Sequence, residues 1–591
     1  MRNAESVLGI IQDRGKRGLI LEDVYRQLFN PSLYLRAYGR IYRNDGAMTK
    51  GATAETVDGM SLERIAAIIE QLRFERYRWT PVRRVYIPKT KGGSRPLGIP
   101  TWSDKLLQEV IRSILEAYYE PQFSSLSHGF RPNRGCHTAL IQIQKTWLGT
   151  KWYIEGDIKG FFDNIHHQSM LLILSEKIHD GRFIRLIGEL LKAGYLEDWR
   201  FRPTRSGTPQ GGIVSPILSG IYLDRFDRWV EAELIPAHTR GTRRKEMPEY
   251  LRVKYLIQKA RARNDGVAVK ALRKRQRQTP YHDYQDPAYA RLRYVRYADD
   301  FLLGFAGTKD EALVIKSKIR DWLKDNLQLE LSEDKTLITH ARTEAARFLG
   351  YELSVFWSDT RPSVNGHIRL AIPEDKVQGA CSRYMRNGKP THRPELINDS
   401  DYDIIARYGI EYRGLMNYYS LAHNIERMTK VHWVMRRSLL MTLAAKHRSS
   451  VAQMVKKFSA ETLTLEGPRK CIKLVIPRAG KEPLVATFGG IPFKRKKDAV
   501  LADEVVQPIF NPRTELVLRL RADRCEICES TEGVQVHHIR KLADLKKKGR
   551  TLDLYQQVMS ARRRKTLVLC RKCHADAHAG RLDGRNDRRS K

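Results

Sequence analysis

The segment Leu292–Gly304, with the sequence LRYVRYADDFLLG, constrains the fold of this chain more than any other segment. Two apolar runs rich in β-branched and aromatic residues flank the adjacent carboxylates Asp299 and Asp300, which predicts two strands joined by a tight hairpin. Carboxylates held together at such a tip repel each other, and both stay ionised only when a cation neutralises them. The pair predicts either a polar turn or a divalent metal site for phosphate chemistry.

The composition narrows the class of protein. The chain has 591 residues and a formal net charge of +39, from 106 Lys and Arg against 67 Asp and Glu. This much self-repulsion is of no use to an enzyme of small metabolites, whereas a polyphosphate partner cancels it. Since 41% of the residues are hydrophobic, folded domains are expected rather than a disordered basic tail. We therefore predict a large globular protein that binds nucleic acid.

The same sequence argues against a membrane protein. No apolar run approaches the roughly 18 residues of a membrane span, and the first residues lack the apolar core of a secretion signal. Four of the seven cysteines form two C-x2-C pairs and the other three are scattered, so a disulfide framework is not indicated. We expect no membrane partner and a reducing, cytoplasmic compartment.

A second strand-like segment, Trp152–Ile158, delivers a third carboxylate, Asp157. A strand that carries one aspartate and a later hairpin that carries two form an arrangement that clamps two Mg²⁺ ions for in-line attack on a phosphate. This conjunction favours the metal site over the polar turn for Asp299 and Asp300.

Cationic residues accompany the predicted site in the sequence. The stretch IPKTKGGSRPLGIP predicts a glycine-bearing hairpin that carries Lys89, Lys91 and Arg95, which are suited to grip a triphosphate. In the later stretch TPQGGIVSP, the glycines allow close approach of a backbone or a base pair. Lys335, in LELSEDKT, supplies a further cation near the same site.

Two C-x2-C pairs near the C-terminus have the spacing of a tetrahedral zinc site. The four cysteines are Cys525, Cys528, Cys570 and Cys573. A module of this size gains stability from such a metal staple. Histidines lie between and after the pairs, in the segments VHHI and CHADAH.

Together these segments resemble the proteins encoded by group II introns of bacteria and organelles, a class of reverse transcriptases. The resemblance covers essentially the whole chain, including the N-terminal stretch FNPSLYLRAYGRIYRNDGAMTKG, the polymerase blocks and the maturase-like stretches YRGLMNYY and RRSLLMTLAAKH. It implies an RNA-directed DNA polymerase, a maturase that assists splicing of its intron RNA, and an endonuclease. The endonuclease would cut the second strand of the DNA target for target-primed reverse transcription and intron mobility.

The resemblance also implies roles for individual polymerase residues. Asp157, Asp299 and Asp300 would be catalytic and would bind Mg²⁺. The deoxynucleotide would be bound by Lys89, Arg95, Ile158, Phe162, Gln210 and Lys335. Of these, Ile158 would assist through its carbonyl, Phe162 would exclude a 2′-hydroxyl, and Lys335 would act as a general acid for pyrophosphate.

By the same resemblance, the C-terminal module is an H-N-H endonuclease. His538 would be the general base that activates water, while His537 and His578 would bind one divalent ion at the scissile phosphate. The role of His574 is left open. The middle Asn of the family motif is not evident, since Lys565 and Thr566 occupy that stretch.

Two alternatives stay open at the level of sequence. The C-terminal module is compatible with a zinc-stabilised DNA-binding module that does not cleave. The basic, helix-prone insertion Arg240–Arg277 predicts either a solvated helical face or an arm that contacts a nucleic-acid backbone.

The predicted fold class is multidomain α/β, namely a right-hand polymerase with fingers and palm, an α-helical thumb and a small zinc-stapled ββα nuclease module. In chain order we expect an N-terminal extension with the start of the fingers at 1–80, fingers and palm at 81–355, a thumb or maturase (X) domain at 375–460, a DNA-binding domain at 461–515 and the endonuclease at 516–591.

The implied cofactors are Mg²⁺, for the polymerase and the nuclease, and structural Zn²⁺. The implied partners are group II intron RNA in a ribonucleoprotein, double-stranded target DNA and deoxynucleoside triphosphates. We expect a bacterial cytoplasmic protein that associates with the nucleoid when it acts on DNA, and an organellar origin stays open. The alternative function is an RNA-binding maturase with little polymerase or nuclease activity.

Overall fold

The computed structural model describes residues 2–582 apart from single positions and short segments. The residues outside this description are 45, 89–91, 199, 205, 208–210, 359, 465, 479–480, 500–514, 540–544, 546–552 and 563. Lys89, Lys91 and Gln210, which were predicted to lie at the nucleotide site or its cationic hairpin, fall outside the described residues.

Helices dominate the first part of the chain. They are α1 (Ala4–Lys16), α2 (Val24–Gln27), α3 (Pro31–Ile41), α4 (Leu62–Arg73) and α5 (Trp102–Tyr119). Side chains of Asn3, Asn30 and Ser61 accept hydrogen bonds from first-turn amides and so begin α1, α3 and α4. The apolar faces of α1 and α3 pack on α5, which is buried along most of its length. These contacts make α5 the centre of the N-terminal half.

Two four-stranded sheets follow the N-terminal helices. Their strands are β1 (Val82–Pro88), β2 (Ser94–Ile99), β3 (Trp152–Asp157), β4 (Tyr195–Glu197), β5 (Arg200–Arg202), β6 (Arg291–Tyr297), β7 (Asp300–Ala306) and β8 (Ile338–His340). The first sheet has the order β2-β1-β4-β5, and the second, which we call the central sheet, has the order β6-β7-β3-β8. Strands β1 and β2 form an antiparallel hairpin, as the sequence predicts.

The predicted aspartate hairpin is confirmed in the central sheet. Tyr297 on β6 pairs with Asp300 on β7, so Ala298 and Asp299 form a two-residue turn. Ala298 has a φ of 56°, the left-handed conformation that such tight hairpin turns require.

Helices surround the two sheets. They are α6 (Cys136–Thr146), α7 (Phe161–Asn164), α8 (His167–Ser175), α9 (Gly181–Lys192), α10 (Ser215–Trp229), α11 (Ile235–Ala237), α12 (Pro248–Ala262), α13 (Gly266–Gln278) and α14 (Lys309–Leu327). Helices α12 and α13 form the basic insertion and pack on each other. The insertion is therefore helical, as predicted, and most of α12 and α13 lies at the surface.

The next part of the chain combines helices with short strands and a three-stranded antiparallel sheet, β14-β15-β16. Its strands are β9 (Ala346–Phe348), β10 (Tyr351–Val355), β11 (Ile368–Ala371), β12 (Met385–Arg386), β13 (Lys389–Pro390), β14 (Ser459–Thr464), β15 (Gly467–Arg478) and β16 (Lys481–Gly489). Its helices are α15 (Glu374–Ser382), α16 (Asp401–Tyr418), α17 (Met428–His447) and α18 (Val451–Phe458). At Gly409, α16 lies so close to β16 that a Cβ would come within 2.1 Å of the Thr487 carbonyl oxygen.

The last part of the chain is a small module, which we call the terminal module. Its elements are α19 (Glu515–Arg521), β17 (Gln535–His538), α20 (Leu554–Ala561), β18 (Thr566–Leu569) and α21 (Arg571–Ala579). Strands β17 and β18 pair antiparallel and α21 packs against both. The predicted ββα arrangement is therefore present.

Apolar side chains form two large cores and one small one. The first core joins the N-terminal helices to the central sheet, and apolar residues of α19, β17 and β18 also belong to it. The second core joins β9–β11 to α15–α18, and the small third core surrounds the cysteines of the terminal module. The molecule is thus a mixed α/β multidomain protein whose terminal module docks on the N-terminal helices. Over the part of the chain that the structure describes, no helix is both long and apolar enough to cross a membrane.

Candidate active sites

The sheet register brings the three predicted polymerase carboxylates to one edge of the central sheet. Asp157, the last residue of β3, pairs with Asp300, the first residue of β7, and Asp299 lies on the adjacent turn. Gly156 allows this close pairing, because a Cβ there would lie 2.1 Å from the ring of Phe301. The apolar strand residues and this glycine therefore position the carboxylates.

The electrostatics of this edge favour the binding of a cation. Asp300 is exposed at the end of its strand, but partial loss of hydration and the charges of Asp299 and Asp157 raise its pKa to about 6. Burial and the charge of Asp157 also raise the pKa of Asp299. Burial is the larger cause of both shifts, and the repulsion between neighbouring carboxylates adds to it.

Lys335 partly supplies that positive charge. Its Nζ lies 2.8 Å from Oδ2 of Asp157, and this hydrogen bond raises the pKa of the lysine. The backbone amide of Ser332 donates to the Asp157 carbonyl oxygen at 2.9 Å, and Leu331 pairs with Ile158. These backbone contacts bring the loop that carries Lys335 to the carboxylates. Ile158 itself is buried beside Asp157.

Of two further predicted residues, Arg95 lies near the carboxylates and Phe162 lies on the helix that follows β3. Arg95, on β2, is close enough for its charge to counter part of the rise in the pKa of Asp299. Phe162 lies on α7, half-buried, and its ring packs edge-on against Phe161 at 5.3 Å between centroids. The structure therefore brings Arg95 and Lys335 to the acidic edge, while Lys89 and Gln210 are outside the described residues.

A buried ion pair that the sequence analysis missed supports the aspartate turn. Arg296 on β6 forms a bidentate pair with Asp227 on α10, and both side chains are almost wholly buried. Nη1 of Arg296 also donates to the Ala298 carbonyl oxygen at 2.8 Å, and the Tyr294 hydroxyl donates to Asp227 at 2.8 Å. The sequence does not single out Asp227, because α10 also carries Asp224, Arg225 and Arg228.

The three carboxylates suit Mg²⁺, which prefers oxygen ligands and is bound through a few carboxylates together with substrate phosphates. Among the described residues, two sets of acidic, His or Cys side chains have all their ligand atoms within 4.8 Å of one another. The three aspartates are not one of these sets. The three carboxylates are thus spaced more widely than a tight ligand group, and Asp157 pairs with Lys335.

One tight group is the predicted cysteine cluster of the terminal module. Cys525, Cys528, Cys570 and Cys573 form it, with Sγ–Sγ distances of 3.6 Å from Cys528 to Cys570 and 3.5 Å from Cys528 to Cys573. Tetrahedral coordination at about 2.3 Å separates sulfur ligands by about 3.8 Å. The cluster therefore fits Zn²⁺.

The second tight group contains histidines. His537 lies on β17, and His574 and His578 lie one turn apart on α21. Nε2 of His574 and Nε2 of His578 are 3.2 Å apart. Nδ1 of His574 bonds Gln535 at 2.8 Å, which orients the ring with Nε2 toward the group. The structure therefore includes His574, whose role the sequence left open.

The histidine group has a fourth member from another region. Asp58, in the loop before α4, places its carboxylate 3.2 Å from Nε2 of His574, 2.7 Å from Nε2 of His578 and 3.6 Å from Nδ1 of His537. Tetrahedral ligands at about 2.05 Å are about 3.3 Å apart, so this spacing fits a bound metal ion. Burial acts to raise the pKa of Asp58, but hydrogen bonds from His574 and the His538 amide hold it below its ordinary value. Nothing in the sequence near Asp58 predicts this contact.

His538, the predicted general base, lies next to the histidine group. It is buried, and burial lowers its pKa to about 3. Its Nε2 is 2.8 Å from the hydroxyl of Tyr38 on α3. In the position expected for the middle H-N-H residue, Thr566 pairs with His538 across the hairpin, and the Lys565 carbonyl accepts from the amide of Ile539.

Exposed cationic and aromatic side chains lie on helices α16 and α17. On α16 and α17, Arg413, Trp433 and Arg437 are exposed, and Trp433 keeps 59% of its surface accessible. In contrast, Tyr412, Tyr419 and Leu439 are buried in the second core. The two maturase-like stretches, on α16 and α17, thus supply buried side chains to the second core and exposed side chains to the surface.

Comparison with protein families divides the chain into three matched regions. The family described as reverse transcriptase (RNA-dependent DNA polymerase) matches residues 87–353. The type II intron maturase family matches residues 360–478, and the AI2M/AI1M-like HNH endonuclease family matches residues 525–574.

Similar proteins match over nearly the whole chain. The group II intron-encoded protein LtrA of Lactococcus lactis subsp. cremoris is 37% identical over 581 residues, covering 93% of this chain and 94% of that protein. A 91 kDa protein in the cob intron of Schizosaccharomyces pombe is 34% identical, covering 99% of this chain and 74% of that protein. A putative COX1/OXI3 intron 1 protein of Saccharomyces cerevisiae is 32% identical, with coverages of 94% and 68%.

Proposed function

The chain belongs to the group II intron-encoded proteins, and we propose here how its residues divide the activities of that family. The protein is multifunctional, with RNA-directed DNA polymerase, maturase and DNA endonuclease activities. The observation that carries the residue assignment is the pairing of Asp157 with Asp300 beside the turn that holds Asp299.

In the polymerase, Asp157, Asp299 and Asp300 hold two Mg²⁺ ions, with help from the Ile158 carbonyl. When bound, the ions activate the primer 3′-hydroxyl and stabilise the charge that develops on the triphosphate. The raised pKa values of Asp299 and Asp300 support this role, because each carboxylate gains from a nearby dication.

Cationic residues bind and position the deoxynucleotide. Arg95 and Lys89 grip its triphosphate, Gln210 contacts the nascent base pair, and Phe162 lies under the sugar to exclude a 2′-hydroxyl. Lys335 pairs with Asp157 before substrate arrives and then protonates the leaving pyrophosphate. The 2.8 Å distance from Nζ of Lys335 to Oδ2 of Asp157 supports the role of Lys335 as the general acid.

In the nuclease, His537, His574 and His578 bind one divalent ion and His538 is the general base for the attacking water. The ion polarises the scissile phosphate when bound. The four cysteines bind structural Zn²⁺, which holds β18 and α21 in place.

The exposed cations and Trp433 on α16 and α17 bind the intron RNA, through its backbone and by stacking. The helices α12 and α13 add a basic surface for the same backbone or for target DNA. We assign the fingers and palm to the first part of the chain through residue 355, the thumb to 375–460, DNA binding to 461–515 and the nuclease to 516–591.

These parts combine in target-primed reverse transcription. The intron RNA inserts into one strand of double-stranded target DNA, the nuclease cuts the other strand, and the polymerase extends the new 3′ end. The protein acts in a ribonucleoprotein, in the bacterial cytoplasm and at the nucleoid.

A double substitution tests the separation of polymerase from maturase. Asp299→Ala with Asp300→Ala removes two metal ligands, so we expect primer extension to fall at least about 10³-fold. Protein-assisted splicing of the intron RNA should stay within about twofold of wild type, because the RNA-binding surface lies on other helices. Extension is measured on a pre-annealed primer and splicing on the precursor RNA.

Asp325→Ala, an exposed carboxylate on α14, is the matched control and should leave both reactions intact. Unchanged extension in the double variant would remove the metal-site assignment. Loss of both reactions in a folded double variant would remove the proposed separation.

A further inference from the structure

The N-terminal region covers the nuclease side of the terminal module. Residues just before α4 add to the free edge of β17, where the Gly59 amide donates to the Val536 carbonyl oxygen at 3.0 Å and the Val536 amide donates to Met60 at 2.8 Å. Met60 and Val536 are both wholly buried in the first core. This contact fixes Asp58, the neighbour of Gly59, directly over the histidines.

Asp58 is the one acidic side chain that contacts the rings of the histidine group among the residues that the structure describes. His537 is 5% exposed, and neither of its ring nitrogens has a hydrogen-bond partner, although Nδ1 points toward Asp58 at 3.6 Å. A buried imidazole without hydrogen bonds is costly unless it binds a metal ion or another partner. The carboxylate reaches all three rings and also accepts from the His538 amide at 2.7 Å. Asp58 therefore lies where an anionic ligand of a shared ion would lie.

A second N-terminal side chain, Tyr38, contacts the ring nitrogen of His538, the proposed general base of the nuclease. Nε2 of His538, the nitrogen that would accept a proton from water, instead meets the hydroxyl of the fully buried Tyr38. The rings of Tyr38 and Tyr42 also pack on the His538 ring. Water and DNA cannot reach this nitrogen while α3 stays docked against the terminal module.

We propose that Asp58 is the fourth protein ligand of the nuclease metal ion, and that it forms, together with Tyr38, a closed nuclease centre between the N-terminal region and the terminal module. Catalytic metal sites keep a position open for water or substrate, whereas sites with four protein ligands are closed. Cleavage requires Asp58 to leave, and a phosphate oxygen of the DNA replaces its carboxylate as the anionic ligand. The exchange makes and breaks only coordination bonds.

The inference rests on the proposed assignment of the histidines to the nuclease centre. The inference has a regulatory consequence. The N-terminal region holds the nuclease inactive until this region and the terminal module separate. Target DNA is the candidate for that separation, because its phosphate is the anion that would take the place of the Asp58 carboxylate.

Metal binding is the first test, with Co²⁺ as the probe. Full-length protein whose cysteine cluster is filled with Zn²⁺ is titrated with Co²⁺, and the absorption of four-coordinate Co²⁺ reports the histidine site. Asp58→Asn should weaken Co²⁺ binding at least about tenfold and reduce this absorption, as expected for loss of a ligand. The matched control is Glu63→Gln, which removes an interface carboxylate that pairs with Arg571 at 3.2 Å and does not reach the histidines. Unchanged Co²⁺ binding in Asp58→Asn would overturn the ligand role.

Nicking of target duplex at saturating metal is the second readout. We expect Asp58→Asn to nick several-fold faster than wild type and Glu63→Gln to stay close to wild type. Slower nicking in Asp58→Asn at saturating metal would overturn the closed centre, since Asp58 would then serve catalysis. Failure of the nuclease assignment has a different signature, because His538→Ala would then nick as well as wild type.

Discussion

The three polymerase carboxylates come from neighbouring strands of one sheet, whereas the nuclease histidines meet a carboxylate that lies 480 residues before His538. The polymerase aspartates are more widely spaced than the nuclease group; Asp299 and Asp300 have raised pKa values, and Lys335 pairs with Asp157 as a partial counter-charge. In the nuclease group, three imidazoles surround Asp58, and the ligand atoms all lie within 4.8 Å of one another.

This difference indicates how each centre acquires its metal. The polymerase edge is short of positive charge, which suits ions that arrive with a triphosphate and leave with pyrophosphate. The nuclease group is complete in the protein alone, which suits an ion that stays bound until substrate displaces a ligand. We therefore expect substrate to complete the metal site of the polymerase and to open that of the nuclease.

Removing the zinc site should give the largest difference between the two activities, because it affects nicking and not primer extension. Cys570→Ser breaks the cluster that holds β18 to α21, so we expect loss of bound zinc, unfolding of the terminal module and nicking reduced at least about 10²-fold. Extension of a pre-annealed primer should stay within about threefold. Zinc content by elemental analysis and the two assays measure these outcomes.

Cys136→Ser, at a cysteine outside the cluster, is the control and should keep its zinc. Equal loss of extension and nicking in Cys570→Ser would show that the two centres are not independent.

Breaking the buried ion pair beneath the aspartate turn should damage only the polymerase. Arg296→Leu leaves the buried Asp227 carboxylate without its cation, with only the Tyr294 hydroxyl still donating to it, which costs about 3–5 kcal/mol of stability. Loss of the Arg296 bond to Ala298 also frees the turn, so we expect primer extension to fall at least about tenfold. Urea unfolding, extension and nicking are measured together, and nicking should persist under conditions where the variant is folded.

The double variant Arg296→Leu with Asp227→Leu sharpens this prediction. It removes both charges, so stability should partly recover while extension stays low. Recovery of extension along with stability would contradict a positioning role for Arg296.

The smallest expected effect is on the pH dependence of stability without metal. The pKa of Asp300 is raised to about 6, so between about pH 4 and 6 the folded protein binds a proton that the unfolded chain does not. The ionised carboxylate thus destabilises the fold fully above about pH 6, and this cost decreases as the pH falls from about 6 to about 4. In EDTA, Asp300→Asn should have a higher urea midpoint than wild type at pH 7.5 and a smaller advantage at pH 5. An advantage that does not change with pH would contradict the raised pKa.

The polymerase edge could be predicted because its determinants are local in sequence. Apolar alternation on both sides of Asp299 and Asp300 specifies the hairpin, and the strand that ends at Asp157 can pair with β7 in the register found. The cysteine cluster was predictable for a similar reason, since its ligands lie in two short spacings. In both cases a few neighbouring residues determine the chemistry.

The remaining features depend on tertiary contacts that no local pattern encodes. Arg296 and Asp227 meet only when α10 packs on the central sheet, and Asp58 reaches His578 only because the terminal module docks on the N-terminal helices. His574 stayed undecided because it directly follows Cys573, and only the helical spacing of α21 shows that its ring faces the other histidines.

One reconstituted reaction tests the central claim, which is that two separate metal centres serve two strands of the same target. Intron ribonucleoprotein is made with wild type, with Asp299→Ala plus Asp300→Ala, or with His538→Ala, and nicking and DNA synthesis on target duplex are read on one gel. We predict that the aspartate variant nicks without extension, and that the His538 variant fails on the duplex but extends a pre-annealed primer normally. Loss of nicking in the aspartate variant, or loss of pre-annealed extension in the His538 variant, would contradict the account.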